Sequence, residues 1–108
     1  MAFRNMMIET ERKESGQLRG RVVPIACKAW FTASGTPQPL SFKFETADGS
    51  LQSVQPIQTR LVEDKCFSGI PSKECSCEAV INGTLCAFKL IFYTETCRWV
   101  LQQTQIMV

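Results

Sequence analysis

The chain has 108 residues, of which 44% are hydrophobic and 20% are charged. These proportions are typical of one folded globular domain and exclude an intrinsically disordered chain. The formal net charge is +2, well below that of a dedicated nucleic-acid-binding domain with a strongly basic stripe. Folding of a chain of this size buries about two thirds of its unfolded surface, so a core can form without a metal or a disulfide.

The N-terminal segment, residues 1–17, mixes charged residues and methionines without a clear period. It contains no long apolar run, so it predicts neither a signal peptide nor a membrane anchor. We therefore expect a flexible segment at 1–17, a single β domain at 18–108, a cytoplasmic location and no membrane partner. In that reducing compartment the six cysteines should be free thiols.

Alternating hydrophobic residues predict strands along the rest of the chain. The apolar run at residues 21–32 predicts a long strand buried on much of both faces, with Pro24 at an edge or a bulge. Leu40, Phe42 and Phe44 alternate with polar residues, which predicts a half-buried strand. The strand that returns after it should be interrupted at Pro56, because proline cannot donate to the ladder.

Two dipeptides predict hairpins with type I′ turns, namely Asp48-Gly49 and Asn82-Gly83, because both central residues of such a turn need positive φ. Residues 65–71 are interpreted as a connection whose apolar anchor is Phe67. The residues expected to face the core around the second turn and in the last strand are Cys75, Cys77, Ala79, Ile81, Cys86, Phe88, Leu90, Phe92, Cys97, Trp99 and Leu101.

The pattern indicates an all-β protein with no convincing helical period after the N-terminal segment. Five to seven antiparallel strands, built on the two type I′ hairpins, favour a small barrel or a half-open roll. Closure of the sheet would hide its edges.

The chain contains no histidine, which removes the commonest general base and the commonest metal ligand. A carboxylate pair such as Glu74 and Glu78 could still perform acid–base chemistry, but their strand should project both side chains into solvent. We therefore expect no enzyme activity and no cofactor.

The cysteines leave an alternative open, a zinc-binding or redox protein that uses Cys66, Cys75, Cys77 and Cys97. The spacing is unlike that of zinc knuckles, whose paired ligands are two to four residues apart in tight turns. A Cys-x-Cys pair within a strand places both thiols on one face, where they serve as small core residues. We expect no metal.

Exposed aromatic side chains among basic residues would favour nucleic-acid binding by a small barrel. Both tryptophans are expected in the core, because each has apolar neighbours in its strand. The last strands should carry Lys89 and Arg98 on the outer face, with Tyr93 at the rim. These three residues form the first candidate binding surface. If Trp30, which lies close to Lys28 in the sequence, is exposed rather than buried, it marks a second.

Three short motifs lie between residues 39 and 101, namely Pro39-x-x-Phe42-x-Phe44, Phe88-x-Leu90-x-Phe92 and Cys97-Arg98-Trp99-x-Leu101. In these motifs the chain resembles short, uncharacterised bacterial all-β domains, some of which are encoded near translesion DNA polymerase genes. Because these are mostly core and turn positions, the resemblance implies a fold more than an activity.

The sequence thus predicts a non-catalytic cytosolic binding or accessory module, with a link to DNA transactions implied by the resemblance. The expected partner is a protein, and nucleic acid has weaker support because the candidate surface carries few cations.

Overall fold

The computed structural model describes residues 22–106. These residues form seven strands and no helix. The strands are β1 (Val22–Phe31), β2 (Pro37–Glu45), β3 (Leu51–Val54), β4 (Gln58–Phe67), β5 (Ile70–Ile81), β6 (Thr84–Tyr93) and β7 (Arg98–Ile106). The predicted all-β class is confirmed. The segment predicted at 1–17 and the first residues of the predicted domain lie outside the described residues.

The strands form one antiparallel sheet in the order β3-β2-β1-β7-β6-β5-β4, and this sheet curls into a half-barrel. Strand β1 joins the two halves, because residues 22–25 pair with β7 whereas residues 26–31 pair with β2. Pro24 lies in the part of β1 that pairs on one side only, as expected of a residue without an N–H.

The two edges of the sheet, β3 and β4, follow one another in the chain. Residues 55–57 connect them, and the Gln55–Pro56 peptide is cis. The predicted interruption at Pro56 is confirmed. Because consecutive strands form opposite edges, the sheet must curl until its ends approach each other.

The inner face of the half-barrel holds the core. Phe42 on β2 and Phe88 on β6 are almost fully buried, and Trp99 on β7 is 9% exposed. Strand alternation places every second residue on this face. The buried cluster consists of Phe42, Phe44, Val54, Cys75, Cys77, Ala79, Ile81, Cys86, Phe88, Leu90, Trp99 and Leu101.

The hairpin at Asn82-Gly83 has the predicted type I′ geometry. Both residues have positive φ, 53° and 79°, and Ile81 pairs with Thr84 directly across the turn.

The hairpin at Asp48-Gly49 is also present, but its predicted turn type is wrong. Thr46 accepts a hydrogen bond from the N–H of Gly49, and of the two turn residues only Gly49 has positive φ, 91°. The loop therefore has three residues, a turn followed by a left-handed glycine. The Asp48 carboxylate accepts a hydrogen bond from the Ser50 N–H at 3.1 Å, which stabilises this longer loop.

A third tight hairpin lies at Ser68-Gly69, where we had predicted a connection. Both residues have positive φ, 54° and 81°, and Phe67 pairs with Ile70 across the turn. Phe67 is 74% exposed, so the expectation that it anchors this segment is wrong. Serine at a left-handed position is a weaker sequence signal than asparagine, which adopts that conformation more readily.

Cys97 does not face the core as expected. It lies in the turn between β6 and β7 with a φ of 57°, and its N–H donates to the carbonyl of Tyr93 at 2.8 Å. Strand β7 begins one residue later, at Arg98.

Candidate functional site

The outer surface of β1, β2 and β3 brings together two lysines and a tryptophan, and we call it the β1–β3 face. On β1, Cys27 points to the core, so its neighbours with the opposite parity, Lys28 and Trp30, point outward. On β2, Phe42 and Phe44 point inward, which directs Lys43 outward.

The register brings the two lysines close together. Lys28 pairs with Ser41, and Lys43 pairs with Ala26. The lysines are thus diagonal neighbours on one surface, a relationship that places Cα atoms about 7–8 Å apart.

Neither Lys28 nor Lys43 has a carboxylate partner among residues 22–106. The ion pairs in this part of the chain involve Arg60, Lys65, Lys73 and Lys89 instead. Both lysines are exposed, so their charge is available to a ligand. Glu45 is the nearest acid on the same face of β2, and it lies beyond Lys43 on the side away from Trp30.

A trough of about 550 Å³ lies between the two lysines. Small side chains form its floor. Ser41 lies across from Lys28, and Ala26 and Ser53 lie across from Lys43 on the two neighbouring strands. Gln55 adds an amide at the end of β3. The trough therefore offers hydroxyl and amide donors in addition to the two ammonium groups.

Trp30 does not line the trough but lies two positions beyond Lys28 on the same outer face of β1, and its side chain is 66% exposed. The expectation that it belongs to the core is wrong, whereas the same expectation for Trp99 is confirmed. Within residues 22–106 no other aromatic ring packs against the Trp30 ring. Its apolar neighbour Phe31 takes the inward position instead and contacts Phe92, with ring centroids 5.2 Å apart.

The sequence predicts a binding surface formed by Lys89, Tyr93 and Arg98. In the structure Lys89 is separated from the other two residues. Tyr93 and Arg98 are cross-strand partners. Lys89 lies four residues from Tyr93 along β6, or about 13 Å, and its Nζ is 3.3 Å from a carboxylate oxygen of Glu74. Its charge is therefore compensated.

Arg98 lies at the point where the pairing between β1 and β7 ends. The last pair between these strands is Ile25 with Trp99, so Arg98 is the next residue of β7 and Ala26 is the next residue of β1. Ala26 belongs to the trough floor. Arg98 is exposed. Of the three residues Lys89, Tyr93 and Arg98, it is therefore the one that lies nearest the β1–β3 face.

The predicted cysteine set is not brought together. Cys75 and Cys77 face the interior from one side of β5, as predicted, whereas Cys66 is exposed near the end of β4 and Cys97 is exposed in the turn before β7. Within residues 22–106, histidine, cysteine and acidic side chains form no group of three or more that could hold a metal ion.

The interior thiols have raised pKa values and are therefore weakly reactive. Burial, with a smaller contribution from neighbouring thiols, raises the pKa of Cys27 and of Cys75 to about 12. Burial also raises the pKa of Cys77, to about 11, although a hydrogen bond with Thr59 lowers it. Because the thiolate is the nucleophile and the metal ligand, these groups are poorly suited to redox or metal chemistry at neutral pH.

The two glutamates that could have formed an acid–base pair are each held by a cation. Glu78 is 2.9 Å from Arg60, and Glu74 is 3.3 Å from Lys89. Both project from the outer face of β5 as predicted, and neither lines the trough of the β1–β3 face.

The sequence pattern does not single out Lys43 as a binding residue. Its signal was present, since Lys43 separates Phe42 from Phe44 in an alternating strand. What the sequence did not show is which strands are neighbours, and therefore that Lys43 would lie beside Lys28.

No known protein family, no curated protein and no solved structure matches this chain. None of the described residues belongs to a helix long and apolar enough to cross a membrane.

Proposed function

We propose that this protein is a non-catalytic binding module whose β1–β3 face binds a polyanion. The observation that carries the proposal is the position of Lys28 and Lys43, two exposed lysines without carboxylate partners in the described chain, on either side of a trough floored by small polar and apolar side chains.

Two further observations support a non-catalytic role. The chain has no histidine, which is the commonest general base, and the carboxylates of Glu74 and Glu78 are both ion-paired. The buried thiols have raised pKa values, which disfavours a cysteine nucleophile. The same observations weigh against a zinc or redox protein, and six free thiols support a cytoplasmic location.

Inorganic polyphosphate tests the proposal, because it carries closely spaced charges and no bases. Removal of both charges in Lys28→Gln/Lys43→Gln should weaken its binding about tenfold at low salt, measured by calorimetry on the full chain. The matched control is Arg60→Gln/Lys65→Gln, which removes the same charge from β4, where both cations have carboxylate partners.

The control double variant should bind polyphosphate almost as the native chain does. Equal losses in the two double variants would mean that binding follows net charge alone, and the assignment to the β1–β3 face would then be wrong. Thermal unfolding of each variant confirms that the comparison is made between folded proteins.

A further inference from the structure

Trp30 indicates which polyanion this face would take. Two lysines attract any chain of negative charges, but a large exposed indole two positions beyond Lys28 on the same face of β1 adds a flat apolar surface that a simple polyanion would not use. Its 66% exposure is among the highest of the large hydrophobic side chains, and it has no ring partner among the described residues.

Resting on the proposed function, we propose that the ligand is single-stranded nucleic acid, with a base stacked on Trp30 and neighbouring phosphates bound by Lys28 and Lys43. Stacking of bases on exposed aromatic side chains beside a positively charged groove is the general mode by which proteins bind single strands without sequence preference.

The spacing of the three groups fits a short run of nucleotides. Trp30 lies two positions beyond Lys28 on the same face of β1, or about 7 Å. Lys43 is a diagonal neighbour of Lys28 in the β1–β2 register, which adds about 7–8 Å. The indole and the two ammonium groups therefore follow one another along a single path across the sheet.

The floor of the trough suits a sugar–phosphate backbone. Ala26, Ser41 and Ser53 leave the space between the lysines open. The serine hydroxyls and the Gln55 amide can donate hydrogen bonds to phosphate oxygens, a common type of contact that fixes register and carries no sequence information.

The same arrangement disfavours the other polyanions. An acidic peptide would engage the lysines without using the indole, because its charged side chains cannot stack. A DNA duplex would engage the phosphate-binding groups, but its bases are already stacked on one another, so unstacking would have to precede any contact with Trp30.

The experiment compares four ligands on the full chain by fluorescence anisotropy or calorimetry at equal salt: the oligonucleotide dT12, a duplex of the same length, poly-L-glutamate and inorganic polyphosphate. The proposal requires dT12 to bind most tightly. Trp30→Ala should weaken dT12 binding about tenfold and leave polyphosphate binding unchanged, whereas Trp30→Phe should retain most of the affinity for dT12.

The salt dependence gives a second readout. For single strands, the logarithm of the binding constant falls as the logarithm of the salt concentration rises, and each phosphate contact makes this slope steeper by about 0.7. Lys28→Gln/Lys43→Gln should therefore flatten the slope for dT12 by about 1.4, and Trp30→Ala should leave the slope unchanged.

The outcomes separate this inference from the proposed function. If the lysine variant weakens binding of all four ligands and Trp30→Ala weakens none, the polyanion site stands and the nucleic-acid inference is wrong. If poly-L-glutamate, the duplex or polyphosphate binds more tightly than dT12, the inference is also wrong. If the lysine variant changes no binding, both proposals are wrong.

Discussion

Phe42 on β2 and Phe88 on β6 meet edge to face across the interior of the half-barrel, with ring centroids 5.6 Å apart. Their strands are not neighbours in the sheet. The contact therefore joins the half of the sheet that carries the β1–β3 face to the half formed by β4 to β7. Both side chains are at most 2% exposed, so the curled shape depends on this pair and on the residues packed around it.

Truncation of Phe88 tests this dependence. Phe88→Ala should lower the free energy of unfolding by about 3–5 kcal/mol, because it removes a buried ring and leaves a cavity between the two halves. Phe67→Ala is the matched control, since Phe67 is 74% exposed, and it should change stability by less than about 0.5 kcal/mol. Urea unfolding measures both, and similar values for the two variants would contradict the assigned core.

The turn at Ser68-Gly69 provides a second test. A Cβ added at Gly69 would meet no heavy atom within 4 Å, but the φ of this residue is 81°. Gly69→Ala should therefore lower stability by about 1 kcal/mol through backbone strain alone. Glu95→Ala, in an exposed turn without positive φ, should have almost no effect. Urea unfolding distinguishes the two variants. A Gly69→Ala variant with unchanged stability would contradict the positive φ assigned to Gly69.

Strand alternation explains why much of the fold could be predicted. Rows such as Phe88, Leu90 and Phe92 fix which face of a strand is buried, because a shift by one residue would expose every apolar side chain. The Asn82-Gly83 turn was predicted for a similar reason, since both residue types tolerate positive φ. Ser68 carries no such local signal, and its turn was missed.

The site was less predictable because it depends on neighbours that are distant in sequence. Alternation alone directs Lys28, Trp30 and Lys43 outward, but the apolar residues around Trp30 suggested burial on both faces. That interpretation fails because the outer side of β1 is covered by no other described element at this end. The proximity of Lys28 to Lys43 follows from the β1–β2 register, and the neutralisation of Lys89 follows from the β5–β6 register.

The accessibility of the thiols can be measured directly. Cys66 and Cys97 are exposed, whereas Cys75, Cys77 and Cys86 are buried and Cys27 is half-buried. In the native reduced protein at pH 8, we expect a disulfide reagent such as Ellman's to modify the two exposed thiols rapidly and the other four slowly. Denaturant should make all six react at once. Rapid reaction of Cys75 or Cys77 in the folded chain would contradict their inward orientation.

The raised pKa values of the interior thiols predict a loss of stability in alkaline solution. In the unfolded chain these thiols ionise near pH 9, whereas in the folded chain Cys27 and Cys75 stay protonated to about pH 12. The folded state therefore binds more protons between these values, and stability falls as pH rises, by about 1.4 kcal/mol per pH unit for each such thiol.

Urea unfolding under reducing conditions from pH 8 to pH 10.5 measures that slope. Lysine and tyrosine also titrate in this range, so the comparison is with Cys27→Ala, which should remove the contribution of one thiol and flatten the slope. Parallel pH dependences of the native chain and the variant would show that Cys27 ionises equally in both states.

Charge reversal distinguishes the two lysine environments. The ammonium group of Lys89 lies 3.3 Å from a carboxylate oxygen of Glu74, and both side chains are partly buried. Lys89→Glu should place two carboxylates together and lower stability by about 1 kcal/mol. Lys28→Glu, which breaks no ion pair among residues 22–106, should leave stability nearly unchanged and weaken dT12 binding. The reverse pattern, with Lys89→Glu abolishing binding at full stability, would move the binding surface from β1–β3 to β6.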